Sequence, residues 1–198
     1  MLYHILPYVN MRTGRNEERM VFINESWNNT GEIVVYSNYH KYWLDRERKI
    51  KNPLFDVFSG KILDLKEGKP SAIKYFYHIL DAEICKDVTI CVVPSSNSSH
   101  LTTGIGMLAE MLAQNGRVDK VYFLRRSMDI DKLALGGKRD QQIHLQTIST
   151  VQEMDITDDI VLLMDDVTTT GNSLYACKEI LTMAGAKHVE MFALGKAI

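Results

Sequence analysis

The pattern of apolar and polar residues becomes regular after residue 87. Runs rich in apolar residues, which are typical of buried strands, occur at 88–93 (VTICVV), 120–124 (KVYFL), 160–164 (IVLLM) and 188–194 (HVEMFAL). Amphipathic segments that predict helices lie between them, at 103–114 and 173–184. Strands that are apolar along their whole length are buried on both faces, as in parallel sheets. The pattern therefore predicts an α/β fold, a doubly wound and mainly parallel sheet flanked by helices.

The first part of the chain is less regular. Residues 31–37 (GEIVVYS) predict a strand that follows the turn signal Asn28-Asn29-Thr30-Gly31. Residues 38–70 mix aromatic and charged side chains without a clear period, and a helix is predicted to begin at Ser71. These elements fit a single α/β domain with a small addition, as expected for 198 residues.

Composition excludes several classes of protein. The formal net charge of −2 argues against a nucleic-acid partner, and the absence of an apolar run of about 18 residues predicts no membrane span. The three cysteines, Cys85, Cys91 and Cys177, have no CxxC spacing, so neither a zinc site nor a disulfide framework is indicated. The N-terminus has no signal-peptide pattern. We therefore expect a cytoplasmic protein.

Two glycines in the helix predicted at 103–114 imitate a dinucleotide-binding motif. Gly104 and Gly106 fit the spacing G-x-G-x-x-A, but ten residues separate Val93 from Gly104, and the motif requires its first glycine at the end of the strand. Close packing of the helix on the sheet is the preferred interpretation of these glycines.

The clearest chemical signal follows the predicted strand 160–164. Asp165 and Asp166 come directly after it, and carboxylates suit the hydroxyls of a sugar diol or a divalent metal ion. Small polar residues follow and lead into a helix, whose N-terminal amides and dipole favour a phosphate; they are Thr168, Thr169, Thr170, Gly171, Asn172 and Ser173. Together these groups match ribose 5-phosphate. The alternative is a simple turn from strand to helix, with the polar residues acting as an N-cap.

The string IVLLMDDVTTTGNS (160–173) resembles the 5-phosphoribosyl-1-diphosphate (PRPP) signature of type I phosphoribosyltransferases. The resemblance implies the fold of that family, and it implies that Asp165 and Asp166 bind the ribose hydroxyls, directly or through Mg²⁺. It also implies that Thr168 to Ser173 hold the 5-phosphate. The expected reaction is a Mg²⁺-dependent transfer of the phosphoribosyl group to a nitrogen acceptor such as a nucleobase, with diphosphate as the leaving group. A homodimer is the family-level expectation.

The same resemblance suggests where the diphosphate binds. The loop after strand 88–93 occupies the place of the family's diphosphate loop and offers Ser95, Ser96 and Asn97. Arg125 and Arg126 are adjacent cations that suit a diphosphate leaving group, and Lys138 and Arg139 lie in a segment that resembles the family's flexible catalytic loop. An ordinary loop and a solvated face remain alternatives for these segments. The spacing of Arg125, Lys138–Gln141 and Leu145 also resembles the competence-protein F group.

Residues 1–60 are expected to form a small N-terminal hood that selects the acceptor, and residues 61–198 the phosphoribosyltransferase core. Aromatic side chains within or near the hood either stack on a flat base or pack in the core; they are Tyr36, Tyr39, Tyr42, Trp43 and Phe58. A second function stays open, that of a non-catalytic sensor of PRPP or a nucleotide with the same fold.

Overall fold

A parallel sheet forms the centre of the protein. The computed structural model describes residues 4–5, 31–100, 102–130 and 141–198. The strands are β1 (His4–Ile5), β2 (Ile33–Tyr39), β3 (Trp43–Asp45), β4 (Ile50–Lys51), β5 (Thr89–Val92), β6 (Val118–Asp119), β7 (Leu124–Arg126), β8 (Ile148–Thr150), β9 (Ile160–Thr168) and β10 (His188–Ala197). The helices are α1 (Val57–Lys66), α2 (Pro70–Leu80), α3 (Gly104–Ala113), α4 (Gln141–Thr147) and α5 (Asn172–Met183).

The central sheet has the strand order β1-β2-β10-β9-β5-β6, and every pair of neighbours is parallel. β3 and β4 form a separate antiparallel ribbon, as do β7 and β8. Because the central strands are parallel, their carboxyl ends share one edge of the sheet, where ligands of such folds bind. The predicted α/β fold with a parallel sheet is confirmed.

Both faces of the sheet are covered, as the uninterrupted apolar strands predict. Along β9, Leu162 and Met164 pack in a cluster with side chains of α1, α2 and α3. Val161 and Leu163 belong to the opposite cluster, which contains Leu174, Cys177 and Leu181 of α5. Alternate residues of a strand point to opposite faces, so this division follows from the period of two. Each fully buried side chain of this size stabilises the fold by about 1.5–3 kcal/mol, and helices on both faces make the fold doubly wound.

α1 lies in the segment whose pattern predicts no regular element. Asp56 caps this helix, since its carboxylate accepts the Ser59 amide at 2.7 Å. Phe58, Ile62 and Leu65 are buried against the sheet. The N-cap and the helical spacing of these three residues were signals that could have predicted the helix.

The strand predicted at 120–124 is wrong in its bounds. The strand β6 ends at Asp119, and backbone hydrogen bonds to β5 continue only through the Lys120 amide and the Val121 carbonyl before the Phe123 amide donates to the Lys120 carbonyl and closes a turn. The chain then enters β7, which pairs with β8 rather than with the central sheet. The polar stretch at 125–158 thus contains regular structure in its described part, namely β7, α4 and β8.

The two strands at the centre of the sheet are longer than their apolar runs. β9 continues to Thr168, with Asp165 opposite Ala193 and Thr168 opposite Lys196 of β10. The expectation that the strand ends at Asp165 is therefore wrong. Ladder pairing with β10 carries the backbone through the acidic pair, although the side chains there are polar.

The glycines at the start of α3 serve packing, but Gly104 packs against another helix, α1, rather than against the sheet as expected. A Cβ on Gly104 would lie 1.6 Å from the Leu65 carbonyl oxygen, and one on Gly106 would lie 2.8 Å from the Tyr122 hydroxyl. α3 therefore approaches the end of α1 more closely than any side chain would allow. These contacts join the carboxyl end of α1 to the amino end of α3.

Within the predicted hood, β2 is a strand of the central sheet, beside β10. The division at residue 60 stays a prediction for the segment as a whole. The ribbon of β3 and β4 follows β2, so it starts from the carboxyl edge of the sheet. No helix among the described residues is long and apolar enough to cross a membrane.

Candidate functional site

The acidic pair is divided between the two faces of β9. Successive side chains of a strand point in opposite directions, so Asp165 continues the row of Leu163 and Asp166 the row of Met164. Asp165 meets α5, where its carboxylate accepts the Ser173 hydroxyl at 3.4 Å, and it also accepts the Asp166 amide at 2.8 Å. The two carboxylates are neighbours along the chain but have different surroundings.

Burial changes the chemistry of Asp165. Burial and the adjacent charge of Asp166 raise the pKa of this carboxyl group, Lys66 and the two hydrogen bonds lower it, and the net value is about 7. Both the protonated and the ionised form are therefore accessible near neutral pH, and the group can either donate or accept a hydrogen bond. A diol hydroxyl, which also donates and accepts, suits such a group.

Asp166 is paired with a cation from another element. The Lys66 ammonium donates to its carboxylate at 2.7 Å, with 40% of the Lys66 side chain and 20% of the Asp166 side chain exposed. Tyr39, at the end of β2, lies close to both. Burial raises the pKa of Tyr39. The charge of Lys66 lowers this pKa, and the charge of Asp166 raises it.

The turn after β9 has the backbone of an anion site. Gly171 has φ = 84°, the left-handed conformation, and caps α5 without a side chain. Its α-hydrogen faces Ile33 and Tyr175, since a Cβ there would lie 2.5 Å from the Ile33 Cδ1 atom. The first-turn amides of α5 thus meet no side chain from the capping residue, and the positive end of the helix dipole adds to them.

Two further groups border this turn. The Thr168 hydroxyl is buried and has no hydrogen-bond partner among the described residues. A buried polar group without a partner is uncommon and is often satisfied by a ligand or water. Lys196, from β10, donates to the Thr169 carbonyl. The turn therefore combines an unsatisfied hydroxyl, a nearby ammonium group and a helix N-terminus.

A cavity of about 220 Å³ opens at the carboxyl end of β5. Its walls come from residues 92–95, 97 and 98, from His100, Thr102 and Thr103, and from Tyr122 with residues 124–126. Ser95, Asn97 and Arg125, three of the residues predicted to bind diphosphate, line it. Ser96 does not line it, and its carbonyl accepts the Ile130 amide.

Several donors of the loop after β5 are already engaged within the protein. The Ser98 amide and hydroxyl both donate to one oxygen of Asp129, each at 2.6 Å. The Asn97 amide donates to the Ser95 hydroxyl at 3.2 Å. The bonds from Ser98 hold the pKa of Asp129 below its usual range, so a carboxylate occupies a place that a diphosphate oxygen would also seek.

Arg126 holds the loop after β5 in place through a hydrogen bond to its backbone. Its guanidinium is buried and donates to the Ser95 carbonyl at 2.6 Å and to the Thr147 hydroxyl at 2.6 Å, and it lies 3.4 Å from His144 Nδ1. Burial lowers the pKa of Arg126. In the described part of the chain, none of these partners is a carboxylate, so the guanidinium brings positive charge to the wall of the cavity.

The aromatic residues of the predicted hood fall into two groups. Tyr36 stacks on Phe58 at 5.6 Å, and Phe58 meets Phe76 edge-on at 5.8 Å, within the core beside α1. Tyr42 and Trp43 form an edge-on pair at 4.8 Å, at the start of the ribbon of β3 and β4. The core interpretation therefore holds for Tyr36 and Phe58, while Tyr42 and Trp43 lie outside the core clusters.

The predicted residues thus divide into two groups at the same edge of the sheet. Asp165, Asp166 and Thr168–Ser173 lie together at the junction of β9 and α5, and Arg125 lies beside the loop after β5. Lys138 and Arg139 lie outside the described residues. Sequence reasoning missed Lys66, Lys196 and Asp129, because their contacts come from distant parts of the chain.

The acidic pair fits a magnesium ion that a substrate helps to bind. Within residues 31–100, 102–130 and 141–198, no group of three or more His, Cys, Asp or Glu side chains could hold a metal ion. Mg²⁺ usually takes one or two carboxylates and completes its shell with water and substrate oxygens. Asp165 and Asp166 supply oxygen donors of this kind.

Comparison with known proteins gives distant structural likenesses. No family model matches the sequence, and no curated protein matches it significantly. A hypoxanthine phosphoribosyltransferase from Staphylococcus aureus matches at a TM-score of 0.40 with 13% identity, covering 69% of this chain and 74% of that one. A purine phosphoribosyltransferase from Pyrococcus horikoshii matches at 0.36 with 18% identity, covering 69% and 87%.

A hypoxanthine phosphoribosyltransferase from Trypanosoma cruzi gives a TM-score of 0.37 and 14% identity, over 70% of this chain and 66% of that one. These values are too low for a functional inference, so function has to be inferred from the site itself. The resemblance to the competence-protein F group, the homodimer, the cytoplasmic location and the absence of a nucleic-acid partner stay predictions.

Proposed function

We propose that this protein is a Mg²⁺-dependent phosphoribosyltransferase that uses PRPP and transfers its phosphoribosyl group to a nitrogen acceptor, a nucleobase. One observation carries the proposal. Within nine residues, the chain brings an acidic pair and the N-terminus of α5 to one edge of a parallel sheet. A diol-binding group and a phosphate-binding group at this spacing match ribose 5-phosphate.

The ribose 5-phosphate half of PRPP has a role for each group of the junction. The 5-phosphate binds the amides between Thr168 and Ser173, the dipole of α5 and the Thr168 hydroxyl, which has no partner among the described residues. The 2′- and 3′-hydroxyls bind Asp165 and Asp166. Asp165 both donates and accepts near neutral pH because burial raises its pKa to about 7.

The diphosphate half lies toward the loop after β5. Arg125 lines the cavity there, and the buried guanidinium of Arg126 adds positive charge to its wall. Ser95, Ser96 and Asn97 belong to the same loop, and Lys138 and Arg139, which lie outside the described residues, are proposed as further diphosphate cations. For diphosphate to use the Ser98 amide, the carboxylate of Asp129 has to move away.

The transfer forms a bond from the acceptor nitrogen to C1 of the ribose and breaks the bond from C1 to the diphosphate oxygen. The electron pair of the broken bond leaves with diphosphate, and the acceptor nitrogen loses its proton to solvent or a nearby base. Positive charge develops on the ribose ring between these events, and the nearby Asp166 carboxylate favours it. Magnesium, when bound, supplies charge neutralisation of the diphosphate.

A non-catalytic sensor of PRPP or a nucleotide is the second candidate. It is favoured by the loop after β5, whose Ser98 donors are already engaged by Asp129. An enzyme releases diphosphate when it is offered PRPP, Mg²⁺ and a panel of purines and pyrimidines. A sensor binds PRPP under the same conditions and releases none.

The central test is Asp166→Asn, measured by isothermal titration calorimetry with PRPP and Mg²⁺. Loss of the carboxylate charge is expected to weaken PRPP binding about tenfold, equivalent to about 1.4 kcal/mol. Asp158→Asn is a matched control, because Asp158 is exposed at the other end of β9 and its φ of 62° suits asparagine. Equal PRPP affinity in wild type and folded Asp166→Asn would contradict the proposal.

A further inference from the structure

We propose that Lys66 is a positioning residue for the ribose site, one that holds the Asp166 carboxylate in place and offsets its charge when Mg²⁺ is absent. This inference rests on the proposed function. Lys66 lies in α1, a hundred residues from its partner along the chain. The bond at 2.7 Å is the contact by which α1 reaches the acidic pair.

The packing of α1 on the sheet fixes the position of Lys66. Ile62 lies one turn earlier on the same face of the helix, and it is fully buried above Gly195 of β10. A Cβ on Gly195 would lie 2.8 Å from the Ile62 Cδ1 atom and 2.9 Å from the Tyr39 Cβ atom. The glycine thus lets α1 lie close to the sheet beside Val167, its partner in β9.

A second contact fixes the end of the helix. The Leu65 carbonyl lies against Gly104, where a Cβ would be 1.6 Å from the carbonyl oxygen. The residue before Lys66 is therefore held by α3, and the residue four positions earlier is held by the sheet. Lys66 also stands in the last turn of α1, where a cation is favoured by the helix dipole.

The pairing leaves the carboxylate able to serve a ligand. Lys66 donates to one oxygen of Asp166, and each oxygen of a carboxylate can accept hydrogen bonds. Restricting the rotation of the side chain therefore favours one orientation for a ribose hydroxyl. PRPP and ribose 5-phosphate are anions, and the ammonium group also lowers the repulsion between them and the acidic pair.

An exposed lysine nearby provides the control. Lys69 is three residues further along and carries the same charge, but it pairs with Asp64 and Glu67. Lys69→Gln therefore removes one positive charge from the same region without breaking a contact to β9. Lys66→Arg keeps the positive charge at position 66 and the ability to donate a hydrogen bond to Asp166.

The experiment measures binding of ribose 5-phosphate to the full chain by calorimetry at constant ionic strength, in EDTA and again in saturating MgCl₂. Lys66→Gln is expected to weaken binding about fivefold to tenfold in EDTA and to recover most of the loss in MgCl₂. Lys66→Arg and Lys69→Gln are expected to resemble wild type under both conditions. Thermal denaturation of each variant checks that the fold is intact.

Three results separate the possibilities. If wild type binds ribose 5-phosphate neither in EDTA nor in MgCl₂, the proposed function and the role of Lys66 are both contradicted. Binding by wild type with unchanged affinity in Lys66→Gln overturns the role of Lys66 alone. An equal loss in EDTA and MgCl₂ also overturns it, because a purely structural defect does not depend on the metal ion. If Lys66→Gln unfolds, Lys66→Met is measured in its place.

Discussion

Two loops meet at the carboxyl edge of the sheet, and they are arranged in different ways. The loop after β9 runs directly into α5, and it combines a contact within eight residues, Asp165 with Ser173, with contacts from other strands, such as Lys196 on Thr169. The loop after β5 is held by residues 31 positions away, Arg126 on Ser95 and Asp129 on Ser98. The first loop follows from a local string of residue types that neighbouring strands support, whereas the second is held by side chains from a distant segment.

This difference has a consequence for binding. In the loop after β9, left-handed Gly171 packs closely against Ile33 and leads into the N-terminus of α5, so packing fixes the backbone there. In the loop after β5, donors are shared with Asp129, and the position of the backbone depends on a buried guanidinium. We therefore expect the ribose 5-phosphate half of the site to be preorganised and the diphosphate half to be adjustable.

Gly171→Ala, in the loop after β9, should have the largest effect on the unfolding free energy. The new Cβ meets Ile33 and Tyr175 at 2.5 and 2.9 Å in a left-handed backbone. Strain and overpacking together should cost about 3 kcal/mol of unfolding free energy, and binding of ribose 5-phosphate should be lost. Urea denaturation and calorimetry measure the two effects.

Gly31→Ala is the matched control for that change. Gly31 also has a positive φ, 68°, but a Cβ there would meet only the Lys178 Nζ atom at 3.8 Å. Its cost should be limited to backbone strain, about 1 kcal/mol. Equal losses of stability in the two variants would show that the close approach at Gly171 contributes nothing.

A smaller change in unfolding free energy is expected when the pH changes, because Asp165 gains or loses its proton. Its pKa in the folded protein is raised to about 7, above the value of about 3.9 expected in the unfolded chain. The stabilisation that the protonated form provides is complete below pH 4 and is lost as the pH rises through 7. Relative to Asp165→Asn, wild type should lose about 2 kcal/mol of unfolding free energy between pH 5 and pH 8.

Urea denaturation of both proteins across this range measures that difference, in which the other titrating groups cancel. If the stabilities of wild type and Asp165→Asn change in parallel with pH, burial does not raise the pKa of Asp165. The test also sharpens the comparison of the loops, because a strongly shifted carboxyl group belongs to a closely packed site.

The same contrast between local and long-range contacts decides which features the sequence could predict. The α/β class and the junction at Asp165–Ser173 could be predicted, because apolar runs and local motifs are written in consecutive residues. The pairing of Lys66 with Asp166 could not, since it depends on how α1 packs over Gly195. The extension of β9 through Asp165 was missed for a related reason, because pairing with β10 overrides the local polarity of the side chains.

The smallest expected effect tests the adjustable loop. Asp129→Asn keeps an oxygen that accepts the Ser98 amide and hydroxyl but removes the negative charge. A diphosphate oxygen then competes with a weaker acceptor and meets less repulsion, so the affinity for Mg-diphosphate should rise about threefold to fivefold, or about 1 kcal/mol. Calorimetry with diphosphate in MgCl₂ measures the change.

Asp155→Asn is the control for this gain, because one oxygen of Asp155 accepts the Thr157 amide and hydroxyl in the same manner. Asp155 lies before the start of β9, at the opposite edge of the sheet from Asp129, so its substitution should leave diphosphate affinity unchanged. A similar gain in both variants would mean that net charge alone governs diphosphate binding. A gain confined to Asp129→Asn, with the affinity for ribose 5-phosphate unaltered, would mean that the two halves of the site respond independently, as their different construction implies.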